Sequence, residues 1–135
     1  MVHLTPGDVK YLAEHFKDGY YCDEEAIRDA IFNKTMFNII DHKSGYKADF
    51  IILKDEPYRI TEFERRRLID FSDMKIYVVS PEDLLLSKII WVQESLSSIQ
   101  FEDIRLLSSL DNLDRQYIDK WIEILKLNTF DSFKK

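Results

Sequence analysis

Phe37-Asn38-Ile39-Ile40-Asp41-His42-Lys43-Ser44-Gly45-Tyr46-Lys47-Ala48-Asp49-Phe50-Ile51-Ile52-Leu53-Lys54 reads as two strands around a tight turn. Side chains alternate across a strand with a period of two. Lys47, Asp49, Ile51 and Leu53 therefore share one face, and Tyr46, Ala48, Phe50 and Ile52 form a fully apolar second face. A carboxylate embedded in such a strand is either an ion-pair partner or a metal ligand. Mg²⁺ is gripped by one or two carboxylates together with substrate phosphates and waters, so Asp49 needs company before it can hold a catalytic ion.

The flanking segments are compact. Thr5-Pro6-Gly7-Asp8 has an N-cap threonine, a proline at the first helical position and an acid in the first turn. Val9, Leu12, Ala13 and Phe16 follow at helical spacing, which predicts a helix to about Lys17. Asp23 is placed to cap a second helix whose Ala26, Ile27, Ala30 and Ile31 share a face. Strand-like composition then covers Thr35 to Asp41 and Tyr46 to Lys54, with Lys43-Ser44-Gly45 as the turn. Thr61-Glu62-Phe63-Glu64 reads as a capping box opening a short helix, and Lys75 to Val79 as a third strand.

Ser80-Pro81-Glu82-Asp83 opens a long helix with a cap, a proline and two acids at the positive end of the dipole. From Leu84 to Leu96 that helix is apolar almost all round, which predicts burial. Phe101, Ile104, Leu107 and Leu110 mark another helix, and Tyr117, Ile118, Trp121, Ile122 and Leu125 a last one. The pattern predicts an α+β fold in one domain over 1–135, mixed over 1–80 and helical over 81–135.

Composition narrows the function. The 135 residues, 45% of them apolar, suffice for one domain with a real core. A net charge of −6 disfavours a dedicated nucleic-acid surface, whose affinity comes largely from neutralising phosphates. Cys22 is the only cysteine, so an intramolecular disulfide and a zinc finger are excluded, and the chain is expected in a reducing cytoplasm. No charged-then-apolar leader opens the chain, and no apolar run approaches the ~18 residues of a membrane span. Glycine-rich phosphate loops are lacking, and His3, His15 and His42 show no ligand spacing.

Two features hold charge in unusual settings. Lys88 has Leu84, Leu85, Trp91 and Val92 as its helical neighbours. It either snorkels along apolar surface or pairs with Asp49, Asp103 or a bound phosphate. Arg65-Arg66-Arg67 follows Glu62 and Glu64, which suits a solvated helix end paired to nearby acids, with phosphate binding as the other reading.

Ala26-Ile27-Arg28-Asp29-Ala30, Phe37-Asn38-Ile39-Ile40-Asp41, Lys47-Ala48-Asp49-Phe50, Phe63-Glu64-Arg65-Arg66-Arg67 and Ser80-Pro81-Glu82-Asp83 resemble, in order, a bacterial nucleotidyltransferase-like family. Lys88, Trp91, Asp103, Leu113-Asp114, Tyr117 and Trp121 fit the same pattern, so the resemblance covers nearly the whole chain. It implies membership of the minimal nucleotidyltransferase superfamily, with a small mixed sheet, packed helices and a C-terminal helical extension. Members of that superfamily, antitoxin-like and abortive-infection-type proteins among them, move a nucleoside monophosphate from an NTP to an acceptor. By position Asp49 resembles the third carboxylate of the family site, and so implies a metal ligand and general base. Lys47 and Lys88 would then meet phosphates, Asp103 would be a distant supporting acid, and Mg²⁺ would be the cofactor.

The sequence departs from the family pattern in one respect. A Gly-Gly/Ser turn and a strand carrying an Asp-x-Asp pair precede that third carboxylate in the superfamily, whereas here Met1-Val2-His3-Leu4-Thr5 resembles only the tail of that strand. Two-metal nucleotidyl transfer needs carboxylates that bridge both ions. The resemblance therefore implies a truncated or degenerate domain that serves as a binding or regulatory module without independent catalysis. Two other expectations stand beside it: an enzyme whose missing strand and Asp-x-Asp pair come from another chain, and an antitoxin-like interaction protein. An exposed sheet edge would serve either a protein partner or a homodimer.

Overall fold

The computed structural model describes residues 1–131, which form two compact units, Met1–Phe63 and a second from Glu64 onward. The architecture is α+β, with six α-helices and two small antiparallel sheets among the described residues. None of those helices is long and apolar enough to cross a membrane.

In the first unit a 3-10 turn over Pro6–Asp8 leads into α1 (Val9–His15). Asp8 reaches back to accept from the Thr5 amide at 2.7 Å and the Thr5 hydroxyl at 3.0 Å. These bonds hold the Asp8 carboxyl below its ordinary value. Asp23 caps α2 (Glu24–Asn33) by accepting from the amides of Glu25 and Ala26. Lys34 ends that helix in the left-handed conformation.

The sheet runs β1 (Tyr20–Tyr21), β2 (Met36–Asp41), β3 (Lys47–Ile51), all antiparallel, with β2 in the centre. Gly45, at φ 75°, turns β2 into β3, and its amide donates to the Asp41 carbonyl. The Asp41 carboxylate accepts from the Ser44 hydroxyl at 2.6 Å and from the amides of Lys43 and Ser44. The Ser44 hydroxyl, then the Lys43 amide, hold its pKa down. Phe37, Ile39 and Ile52 turn inward onto Val9, Ile27, Ala30 and Ile31, with Phe50 packed against that cluster. The Phe37 and Phe50 rings stack across the strands at 5.0 Å. This is the apolar face expected of the hairpin, although Tyr46, at its outer end, is 82% exposed.

Two strand assignments differ from the sequence reading. The third strand of this sheet is the two-residue β1, whereas the segment expected at Lys75–Val79 forms β5 (Met74–Val78) in a separate hairpin with β4 (Arg67–Phe71). The helix read from Thr61 in fact starts earlier, as α3 (Pro57–Glu64). Thr61 lies inside it and its hydroxyl bonds back to the Pro57 carbonyl, because Pro57 already supplies the preset φ of a first helical residue.

In the second unit the β4–β5 hairpin is followed by α4 (Pro81–Glu94), α5 (Ser98–Ser108) and α6 (Arg115–Leu125). Ser80 caps α4 and Asp114 caps α6, each accepting an amide three residues on. Leu85, Leu86, Ile89 and Val92 of α4 are buried with Ile104 and Ile118. Burial of the whole Leu84–Leu96 stretch does not hold: Trp91 is 61% exposed, and Leu96 lies beyond the end of α4 at 73%.

Candidate functional site

Asp49 sits on β3, opposite Asn38 of β2, on the face turned away from the apolar cluster. Its carboxylate is 3.7 Å from the Lys47 ammonium, and both side chains remain about half exposed, at 43% and 54%. The same-face placement expected from alternation is realised. An ion pair this open is worth little in stability, so the two groups are not locked into architecture.

Lys47 also lines a second feature of the first unit. A cleft of about 270 Å³ is bounded by Phe16, Tyr20, Tyr46, Phe50, Asp41 and Lys47. Its walls are mainly aromatic, and Phe16 and Tyr20 meet edge to face at 5.2 Å. A flat ring could lie against such walls, with Lys47 at one side and the oriented Asp41 carboxylate at another. No feature of the sequence beyond the scattered aromatics marks this cleft, since α1, the approach to β1 and both hairpin strands must fold together to make it.

Lys88 and Asp103 belong to the second unit, where they pair with each other. Lys88 donates to Asp103 Oδ2 at 2.8 Å and to Gln100 Oε1 at 3.2 Å. Asp103 is one of the partners considered for Lys88, and the pair joins one face of α4 to one face of α5. The pair lies in an open cleft of about 350 Å³ with Leu84, Leu106, Leu107 and Leu110.

The strongest polar cluster is one whose parts sequence reasoning treated separately. Asp83, fully buried, accepts from the Ser80 hydroxyl at 2.7 Å, the Tyr117 hydroxyl at 2.6 Å and Arg65 Nε at 3.1 Å. The Arg65 guanidinium also stacks on the Tyr117 ring at 3.8 Å. Glu82, 3% exposed, accepts the Asp114 amide at 3.1 Å, with Arg65 and Arg67 3.6 and 3.8 Å from its other oxygen. Burial pushes the Glu82 carboxyl up, but the Asp114 amide, its own backbone N–H and the guanidinium groups of Arg67 and Arg65 more than offset it. The net effect holds it below the ordinary glutamate value. Arg65 and Arg67 of the arginine run thus do pair with acids, Glu82 and Asp83 of the same unit, while the Arg66 guanidinium lies over the Tyr77 ring at 4.6 Å. Asp83, whose two oxygens are both taken by side chains of its own unit, is an architectural brace.

The donor set at β3 limits what metal chemistry it can support. Asp49 together with nucleotide phosphates and waters has the composition of a single Mg²⁺ site. The carboxylates that would bridge a second ion are not gathered around it, and no group of three or more His, Cys, Asp or Glu among the described residues could hold a metal. Comparison with family models, curated proteins and solved structures gave no match.

Proposed function

We propose that this chain is a nucleotidyltransferase-like module that binds a nucleotide at the β2–β3 hairpin and does not turn it over by itself. One observation carries the reading: Lys47 belongs both to the pair with Asp49 and to the wall of the aromatic cleft. A base resting against Tyr20, Tyr46 and Phe50 would place its phosphates near Lys47. Asp49 lies on the opposite face of β3, so phosphates passing round the strand edge at Lys47 would share a Mg²⁺ with it there. The role of Lys47 is to neutralise phosphate charge, and that of Asp49 to orient the hydrated ion. Lys88, the other cation suggested for phosphate, is engaged by Asp103 and Gln100, so the proposal rests on Lys47 and Asp49.

Independent catalysis is not part of the proposal because nucleotidyl transfer draws on a set of carboxylates that bridge metals and activate the attacking hydroxyl. A second reading keeps the enzyme, with another chain adding a strand that bears an Asp-x-Asp pair. The direction of Val2 favours it: this residue makes a single parallel bridge with Ile52, so a strand approaching along that path would run beside Asp49.

Calorimetric titration with ATP, GTP, CTP and UTP, with and without Mg²⁺, tests the first reading. Saturable, metal-dependent binding that weakens in Asp49→Asn and in Tyr46→Ala is the expected result. Binding unchanged in both variants would remove the hairpin as the site.

A further inference from the structure

We propose that the open edge of β3 is a self-recognition surface, joining two copies of this chain through an antiparallel β3–β3 pair in one defined register. The proposal draws on edge hydrogen bonds and side-chain order alone, and stands whether or not the nucleotide reading holds.

The direction of the backbone groups comes first. Asp41 donates to the Tyr46 carbonyl and Ile52 to the Thr35 carbonyl, which fixes these as hydrogen-bonded pairs of the β2–β3 ladder. Such pairs alternate with non-bonded ones. Phe37/Phe50 and Ile39/Ala48 are therefore bonded, while Met36/Ile51, Asn38/Asp49 and Ile40/Lys47 are not. The N–H and C=O groups of Lys47, Asp49 and Ile51 consequently point away from β2. At Ile51 this is seen directly, since its carbonyl accepts the Val2 amide at 2.8 Å. Among the described residues β3 has no other strand beside it, so the edge is open at Lys47 and Asp49. Lys47, Ala48 and Asp49 are all exposed.

An open edge is a template for another strand, and charge on it discourages indiscriminate pairing. The order of charges here selects a particular partner. In an antiparallel pair of identical strands centred on Ala48, Lys47 stands opposite Asp49 of the second copy, and Asp49 opposite its Lys47. Both are residues whose backbone groups face outward, so each such pair closes two backbone hydrogen bonds, four in all. Shifting the register by two residues in one direction sets Lys47 against Lys47, and in the other sets Asp49 against Asp49. Opposite charges across strands are favourable and like charges are not. A shift by one residue would present the inward-facing backbone groups and turn the side chains to the wrong face.

The centred register also places Tyr46, 82% exposed, across from Phe50 of the second copy on the other face. Aromatic cross-strand pairs are stabilising, and this one would cover a ring that the single chain leaves in water. Val2 at Ile51 and the turn at Gly45 bound the paired stretch to Tyr46–Phe50. The product is a two-fold symmetric, isologous contact. If nucleotide also binds at Asp49, the two events compete and nucleotide releases the dimer.

Sedimentation equilibrium over a concentration series on the full chain, with two single charge variants and their swap, tests the proposal. A reversible monomer–dimer equilibrium is expected, weakened about tenfold by Asp49→Lys or by Lys47→Asp, each of which creates like-charge pairs. The double variant Lys47→Asp/Asp49→Lys restores opposite charges and should return to within about threefold of the original affinity. Far-ultraviolet circular dichroism of each variant establishes that it folds, because the swap restores the Lys47–Asp49 pair within one chain as well as the pairs between copies. A chain that stays monomeric throughout, a dimer indifferent to the single substitutions, or a swap that fails to recover would each overturn the proposal. So would a monomer that takes up an unrelated strand-forming peptide along β3, which would assign the edge to a foreign partner.

Discussion

The Lys47–Asp49 pair of the first unit and the Arg65–Asp83 pair of the second join the same kinds of charge in opposite circumstances. Asp49 is 43% exposed with a lysine at 3.7 Å, whereas Asp83 is completely covered and held by Ser80, Tyr117 and Arg65. A buried ion that loses its partner keeps its desolvation cost, while an exposed one is rehydrated. The difference separates a brace from a surface. Asp83 is committed to holding the start of α4 against α6 and Arg65, and Asp49 is free to meet something from outside.

Breaking the brace should produce the largest effect on stability. Arg65→Ala removes the cation paired with buried Asp83 and one of the two beside Glu82, and an expected loss of about 3–5 kcal/mol would be read from urea unfolding. If the loss is below about 1 kcal/mol, the brace belongs with the surface pairs. Tyr117→Phe removes one 2.6 Å hydrogen bond to Asp83 while keeping the ring under Arg65. It should cost about 1.5–3 kcal/mol, the range for a hydrogen bond to a charged group.

Acid should act through the same cluster. Glu82 has a folded value below its ordinary 4.5, so its contribution to stability is fully present above pH 4.5 and is lost as the pH falls through the folded value. The stability gap between the wild type and Glu82→Gln should therefore narrow on acidification below pH 4.5. A constant gap would show that Glu82 has the same pKa folded and unfolded, so that its partners do not favour the ionised form. At the small end, Asp49→Asn should leave stability within about 0.5 kcal/mol, as expected for an exposed position away from the core.

Local signals carried much of the fold. The caps at Asp23 and Ser80, the turn at Gly45 and the alternation through Phe50 and Ile52 each depend on residues a few positions apart, and each is found as read. β1 was not legible because Tyr20–Tyr21 is too short to show alternation and becomes a strand only by lying against Ile40 and Asp41. β4 was hidden because Arg67 and Asp70 interrupt its apolar pattern, and all five of its residues are exposed. Of the candidate site, the same-face relation of Lys47 and Asp49 follows from strand periodicity alone. Lys88–Asp103 could be named only as one option among several. The Asp83 cluster gathers residues 18 and 34 positions away in the chain, contacts that tertiary folding alone creates.

The most direct test of the division between brace and surface is a paired measurement on Asp49→Asn, thermal unfolding beside calorimetric titration with Mg²⁺ and each nucleotide. The account predicts metal-dependent binding by the wild type, its loss in the variant and an unchanged unfolding transition. A variant that binds as the wild type does would remove Asp49 from the site, and one that unfolds several degrees lower would place it among the structural carboxylates; either result would contradict the account.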